Sequence, residues 1–61
     1  MDSAIRLMIV DDEYLVRELL KNCMNWREIG YEIVGEAENA KEALALIDSL
    51  QPDVVVTDIR M

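Results

Sequence analysis

Phenylalanine and histidine are absent from this 61-residue chain, which has only two tyrosines and a single tryptophan, Trp26. With so little aromatic bulk, a core has to come from Leu, Ile, Val, Ala and Met. The lone Cys23 cannot close an internal disulfide, so nothing points to an oxidising compartment. No apolar run approaches the roughly 20 residues of a membrane span. The opening Met1-Asp2-Ser3-Ala4 has neither the basic nor the apolar region of a signal peptide, and the cytoplasm is the expected location. Cations are scarce as well: 6 Lys and Arg stand against 13 Asp and Glu, for a net charge of -7. Gripping nucleic acid takes clustered Lys and Arg to neutralise phosphates, so this piece is not expected to bind it alone.

About half the residues are hydrophobic and 31% are charged, the balance of a globular piece rather than of a disordered tail. A domain of about 60 residues buries only about 60% of its unfolded surface, so its stability is marginal. Ile5 to Val10 is a short apolar run bounded by charges, the mark of a strand covered on both faces. From Glu13 to about Asn25 the period becomes helical. Leu15, Val16, Leu19, Leu20, Cys23 and Met24 form an apolar stripe, with Glu18, Lys21 and Asn22 opposite. On that stripe Cys23 reads as a small buried filler.

Trp26 to Gly30 reads as a short connection into a second strand near Glu32 to Glu36, whose flanking acids suggest a sheet edge. Asn39 offers a helix N-cap, and Glu42 three positions on can reach back as in a capping box. Ala40, Ala43, Leu44, Ile47 and Leu50 continue as an amphipathic helix that Pro52 forbids from extending. Asp53 to Asp58 holds the β-branched run Val54-Val55-Val56 and reads as a buried interior strand. Strand, helix, strand, helix, strand implies parallel pairing with right-handed crossovers.

The carboxyl ends of parallel strands share one edge, where open α/β sheets place their ligand sites. Strand one ends in Val10-Asp11-Asp12-Glu13 and strand three in Thr57-Asp58. Neighbouring strands one and three would therefore bring Asp11, Asp12 and Asp58 together. Three uncompensated carboxylates repel, and a hard divalent cation such as Mg²⁺, which prefers oxygen ligands, resolves the repulsion. A single Asp at a strand end is ordinarily a cap or turn former, and Asp12 is open to that role for the first helix. The third acid, at the end of a separate strand, is what favours a metal site.

Leu7-Met8-Ile9-Val10-Asp11-Asp12-Glu13 resembles the opening strand and acidic pair of bacterial response-regulator receiver domains. Gly35-Glu36-Ala37-Glu38-Asn39-Ala40 with Glu42-Ala43-Leu44 resembles their second strand and helix, and Pro52 to Met61 their third strand and phosphorylation loop. Trp26 to Tyr31, together with Thr57 to Met61, looks most like regulators carrying an AraC-type DNA-binding output domain.

The resemblance implies an α/β fold: the three-stranded parallel βαβαβ half of a flavodoxin-like receiver, strand order 2-1-3. It implies Asp58 as the phospho-acceptor, with Mg²⁺ held by Asp12, Asp58 and the Arg60 backbone carbonyl directly and by Asp11 mainly through water. The Arg60 side chain occupies a position that modulates phosphorylation and dephosphorylation rates. The chain would be a phospho-acceptor, not an enzyme, and its donor a phosphohistidine on a sensor histidine kinase, since it has no histidine of its own.

Residues 1–61 are accordingly expected to form a truncated receiver, with strands four and five and the output domain absent. The family's hydroxyl residue of strand four, and the Lys and aromatic switch residue of strand five, would lie beyond Met61, so impaired phosphorylation and no normal conformational readout are expected of this piece. Strand three would then be a bare edge, expected to pair with its own copy into a homodimeric sheet 2-1-3-3-1-2. The alternative reading is a self-associating structural or engineered half-domain without phosphotransfer activity.

Overall fold

The computed structural model describes residues 4–57. Strand β1 (Ile5–Val10) is followed by helix α1 (Tyr14–Asn22), a 3₁₀ turn (Trp26–Ile29), strand β2 (Tyr31–Ala37), helix α2 (Ala40–Leu50) and strand β3 (Val54–Thr57). The strands make one parallel sheet in the order β2-β1-β3, as in the first part of a flavodoxin-like receiver fold.

The apolar run of β1 makes it the central strand. Leu7, Met8, Ile9 and Val10 are all buried, so both faces of the strand are covered. Alternation divides them. Met8 and Val10 cluster with Ala37 and Ala43, against which Leu46 and Ile47 of α2 pack. Leu7 and Ile9 belong to the other face. Ile9 is in register with Glu36, and Glu36 is ion-paired to α1, which places that helix there. The molecule is thus three layers thick, helix on sheet on helix.

Between Leu7 and Met8 the register with β2 slips, from Leu7↔Ile33 to Met8↔Gly35, leaving Val34 as the extra residue. Gly35 gives the Leu50 side chain room, because a Cβ there would lie 2.6 Å from Leu50 Cδ1 and push that side-chain end aside. Gly30, with φ +96°, makes the left-handed turn that delivers the chain into β2, and its carbonyl accepts from the Ile5 N–H at 2.8 Å. At the far end of α2, Gln51 adopts φ 50° and its N–H bonds Ile47 O, closing the helix just before Pro52. The Arg6 guanidinium also bonds Leu50 O at 2.6 Å, tying that helix end to β1.

Four local expectations need correcting. Helix α1 stops at Asn22, so Cys23 lies beyond it and is exposed rather than buried. The predicted stripe is rotated as well: Leu15 and Leu19 are 78% and 68% exposed, and Val16 and Leu20 are the half-buried pair. Lys21, read as solvent-facing, turns instead toward β2. Strand β3 is not an interior strand among the described residues. It pairs only with β1, and Val54 and Val55 are exposed on the sheet's rim.

The capping box forms in altered shape: Asn39 Oδ1 accepts from Glu42 N at 2.8 Å, while Glu42 Oε1 accepts from the Glu38 N–H at 3.1 Å, one residue before the cap. No helix is long and apolar enough to cross a membrane among the described residues.

Candidate functional site

Strand β1 runs buried to its carboxyl end and delivers two acids there. Asp11 is 5% exposed, unusually covered for a carboxylate, and it is hydrogen-bonded at every level. Its N–H donates to Ala37 O at 3.0 Å, extending the β1–β2 ladder by one residue. Its Oδ1 accepts from the Glu13 N–H at 2.9 Å, and its carbonyl accepts from Arg17 Nη1 at 2.5 Å. Asp11, not Asp12, therefore supplies the side-chain oxygen at the start of α1. The N-cap residue is Glu13, which makes no side-chain cap bond of its own. Asp12 is exposed, the neighbour of a fixed residue.

The β1–β3 pairing runs from Leu7↔Val54 to Val10↔Thr57. Asp58 and Arg60, the other two residues expected at the site, lie outside the described residues. Among the described residues no group of three His, Cys, Asp or Glu is gathered closely enough to hold a metal ion. Of the expected acids, then, Asp11 and Asp12 are brought to one edge.

Beneath them lies an ionic network that the sequence reading did not single out. Arg17 Nε donates to Glu36 Oε1 at 2.7 Å, so its guanidinium spans from Glu36 on β2 to the Asp11 carbonyl. Lys21, one turn on, donates to Glu36 Oε2 and pairs with Glu18 Oε2, both at 2.6 Å. The hydrogen bonds from Lys21 and then Arg17 hold the Glu36 carboxyl below the usual carboxylate range, outweighing the opposing effect of burial. Lys21 is pushed up to about 12, first by its bond to Glu18 and then by that to Glu36. The hydrogen bond to Glu36 likewise raises Arg17. The signal available in the sequence was the Arg17/Lys21 pair at i and i+4, one helix face carrying two cations next to an otherwise acidic sheet edge.

An open cavity of about 320 Å³ lies at the other end of β2, against Trp26 and Ile33. Trp26 is held there by its Nε1–H bond to Leu20 O and its edge-on packing with Tyr31. The cavity does not reach the acid pair.

Comparison with known proteins bears on what the acidic edge is for. The family model described as the response regulator receiver domain matches residues 7–61. An uncharacterized response regulatory protein of Yersinia pestis is 53% identical over 57 residues, 93% of this chain and 24% of that protein. A second uncharacterized response regulatory protein, from Staphylococcus epidermidis, is 43% identical over 56 residues, 92% of this chain and 22% of that one. The transcriptional regulatory protein HptR of Staphylococcus aureus is 41% identical over 56 residues, again 92% of this chain and 22% of the relative. The chain thus spans about a quarter of the length of the curated relatives it matches. No solved structure matches it.

Proposed function

This chain belongs to the response regulator receiver family, and on that premise we propose that it supplies the first three strands of a receiver whose phospho-acceptor is Asp58. The observation that carries the reading is the parallel register ending at Val10↔Thr57, because the next residue along each strand's sequence is an aspartate, Asp11 and Asp58.

In this reading Asp11, Asp12, Asp58 and the Arg60 backbone carbonyl hold Mg²⁺. The donor set fits a hard cation. Asp11 and Asp12 offer oxygen only, and Asp11, with one bond to the Glu13 N–H, keeps most of its roughly four lone-pair sites for a ligand. When bound, Mg²⁺ offsets the negative charge of a phosphoryl group in transfer. The Asp58 carboxylate forms the new O–P bond while the P–N bond of a phosphohistidine breaks, and the imidazole of the donor leaves. The donor belongs to a sensor histidine kinase, and the chain is an acceptor rather than an enzyme. The Arg60 side chain modulates the rates of gain and loss. In the whole protein the receiver controls an AraC-type DNA-binding output domain in the cytoplasm, a reading supported by the resemblance over Trp26 to Tyr31 and Thr57 to Met61.

Exposure of the chain to Mg²⁺ with acetyl phosphate tests the central claim by intact mass. Gain of one phosphoryl group, lost in Asp58→Asn, supports the reading, and no gain favours the self-associating alternative. A phosphorylated Asp58→Asn chain would refute the assignment.

A second reading is favoured by one feature, the half-exposed Val54 and Val55 on the outer strand of the sheet. There the chain is a self-associating half-domain in which β3 pairs with the β3 of a second copy, giving 2-1-3-3-1-2. Light scattering across a range of concentrations tests it: a dimer mass supports the pairing, and a monomer at every concentration rules it out.

A further inference from the structure

We propose that Arg17 is a positioning residue for the metal-binding acids: its guanidinium, braced by Glu36, holds the Asp11–Asp12 peptide in the orientation that aims Asp12 at a cation. The proposal rests on the reading that Asp11 and Asp12 hold Mg²⁺.

Asp11 C=O and Asp12 N–H belong to one rigid plane, so a group that fixes the carbonyl also fixes the plane's far end, the Cα from which the Asp12 side chain leaves. Arg17 Nη1 makes that contact at 2.5 Å. The Asp11 N–H is separately fixed by Ala37 O at 3.0 Å, and its carboxylate by the Glu13 N–H at 2.9 Å. The Ala37 bond acts before the Asp11 carbonyl, and the bond to the Glu13 N–H holds the peptide that leaves Asp12. Arg17 alone, among these contacts, acts on the peptide leading into Asp12, which is otherwise exposed.

The guanidinium suits the task. Its fork is planar and donates in two fixed directions, so seating Nε on Glu36 Oε1 at 2.7 Å determines where Nη1 points. Glu36 is itself held by Lys21 and is carried on β2 next to Ala37, the residue that receives the Asp11 N–H. The brace thus runs from α1 through β2 to the end of β1, with the Arg17 side chain 12% exposed. Groups that orient metal ligands without touching the metal commonly govern affinity ten- to a hundredfold.

Charge and position predict opposite signs here, which makes the proposal testable. Arg17 is a cation close to a cation site. On Coulomb grounds alone, Arg17→Ala tightens Mg²⁺ binding and Arg17→Lys leaves it unchanged. As a positioning residue, Arg17→Ala weakens binding about tenfold or more, and Arg17→Lys, which keeps the charge without the fork, weakens it in the same direction.

The experiment measures Mg²⁺ affinity by calorimetry on the full chain, on both Arg17 variants and on Asp12→Asn. The Asp12 amide ¹⁵N shift in the metal-free proteins is read alongside, together with far-UV circular dichroism. The expected result is weaker Mg²⁺ binding and a moved Asp12 resonance in both Arg17 variants, with helix content retained. Arg17→Lys decides the matter should the alanine variant fail to fold. Unchanged or tighter binding in the folded variant, with Asp12→Asn still impaired, overturns the role of Arg17 and leaves the metal reading standing. Mg²⁺ binding indifferent to Asp12→Asn overturns that reading, and the proposal with it.

Discussion

Replacing Met8 by alanine perturbs the layer between β1 and α2 without touching a polar group. Met8 is fully buried and packs in the cluster of Val10, Ala37 and Ala43. The substitution removes three heavy atoms beyond Cβ, worth about 2.4 kcal/mol of transfer free energy at roughly 0.8 kcal/mol per methylene. A void of roughly 40 Å³ that strand and helix fail to close adds about 1 kcal/mol. A destabilisation of about 3 kcal/mol results, well inside the range for Met→Ala in cores. At 0.05–0.15 kcal/mol per residue, the 61 residues supply a total of about 3–9 kcal/mol, so Met8→Ala removes a third of the stability or all of it.

The matched control is Leu15→Ala, on the α1 surface that is 78% exposed, expected to change stability by no more than about 0.5 kcal/mol. Urea unfolding followed by circular dichroism reads both: the Met8 midpoint falls sharply, the Leu15 midpoint stays, and the slopes agree. Equal losses in the two variants would refute the assignment of faces, since Leu15 would then have to be covered as Met8 is.

Stability should respond to pH through Glu36. Its folded carboxyl titrates below its ordinary 4.5, so its contribution is present above that value and is lost as pH falls through the folded value; the gap between wild type and Glu36→Gln in thermal melts should close in acid. Lys21 runs the other way, its contribution present below its ordinary 10.5 and lost as pH rises through about 12, which an alkaline titration of Lys21→Met against wild type reads. Asn39→Ala removes the side-chain oxygen that caps α2 and should cost about 1 kcal/mol, with Asn39→Asp nearly neutral by the same melt. Gly35→Ala forces a Cβ against the mobile end of Leu50 and should cost about 1 kcal/mol, largely recovered when Leu50→Ala is added in a double-mutant cycle.

The features legible in the sequence share a cause: each depends on one strand or helix end. A continuous apolar run flanked by charges needs only burial on two faces, and β1 has it. The end of α2 at Pro52 and its start at Asn39 are set by local backbone chemistry, and both appear as read. What the sequence left open depends on neighbours. The apolar stripe of α1 is broad enough to seat in more than one rotation. The choice falls to Glu36, which draws Arg17 and Lys21 toward the sheet and turns Leu15 and Leu19 out. Val54-Val55-Val56 has the composition of an interior strand, yet interior position is conferred by a strand on each side. Among the described residues β3 has only β1.

The acid pair shows the same division within two residues. As letters Asp11 and Asp12 are equivalent, and a count of carboxylates at the end of β1 treats them alike. Their neighbours do not. The β2 ladder reaches one residue past Val10 to take the Asp11 N–H, the N–H of Glu13 at the cap of α1 takes its side chain, and Arg17 takes its carbonyl, while Asp12 is left in solvent. One acid is thereby built into the scaffold and the other is presented by it. A carboxylate already ordered by its neighbours surrenders little freedom to a ligand, whereas one in water must be aimed. The identity of the residue that aims it could not come from the acidic motif, because Arg17 lies a turn further along α1 and acts only once Glu36 has been brought beside it by the pairing of β2 with β1.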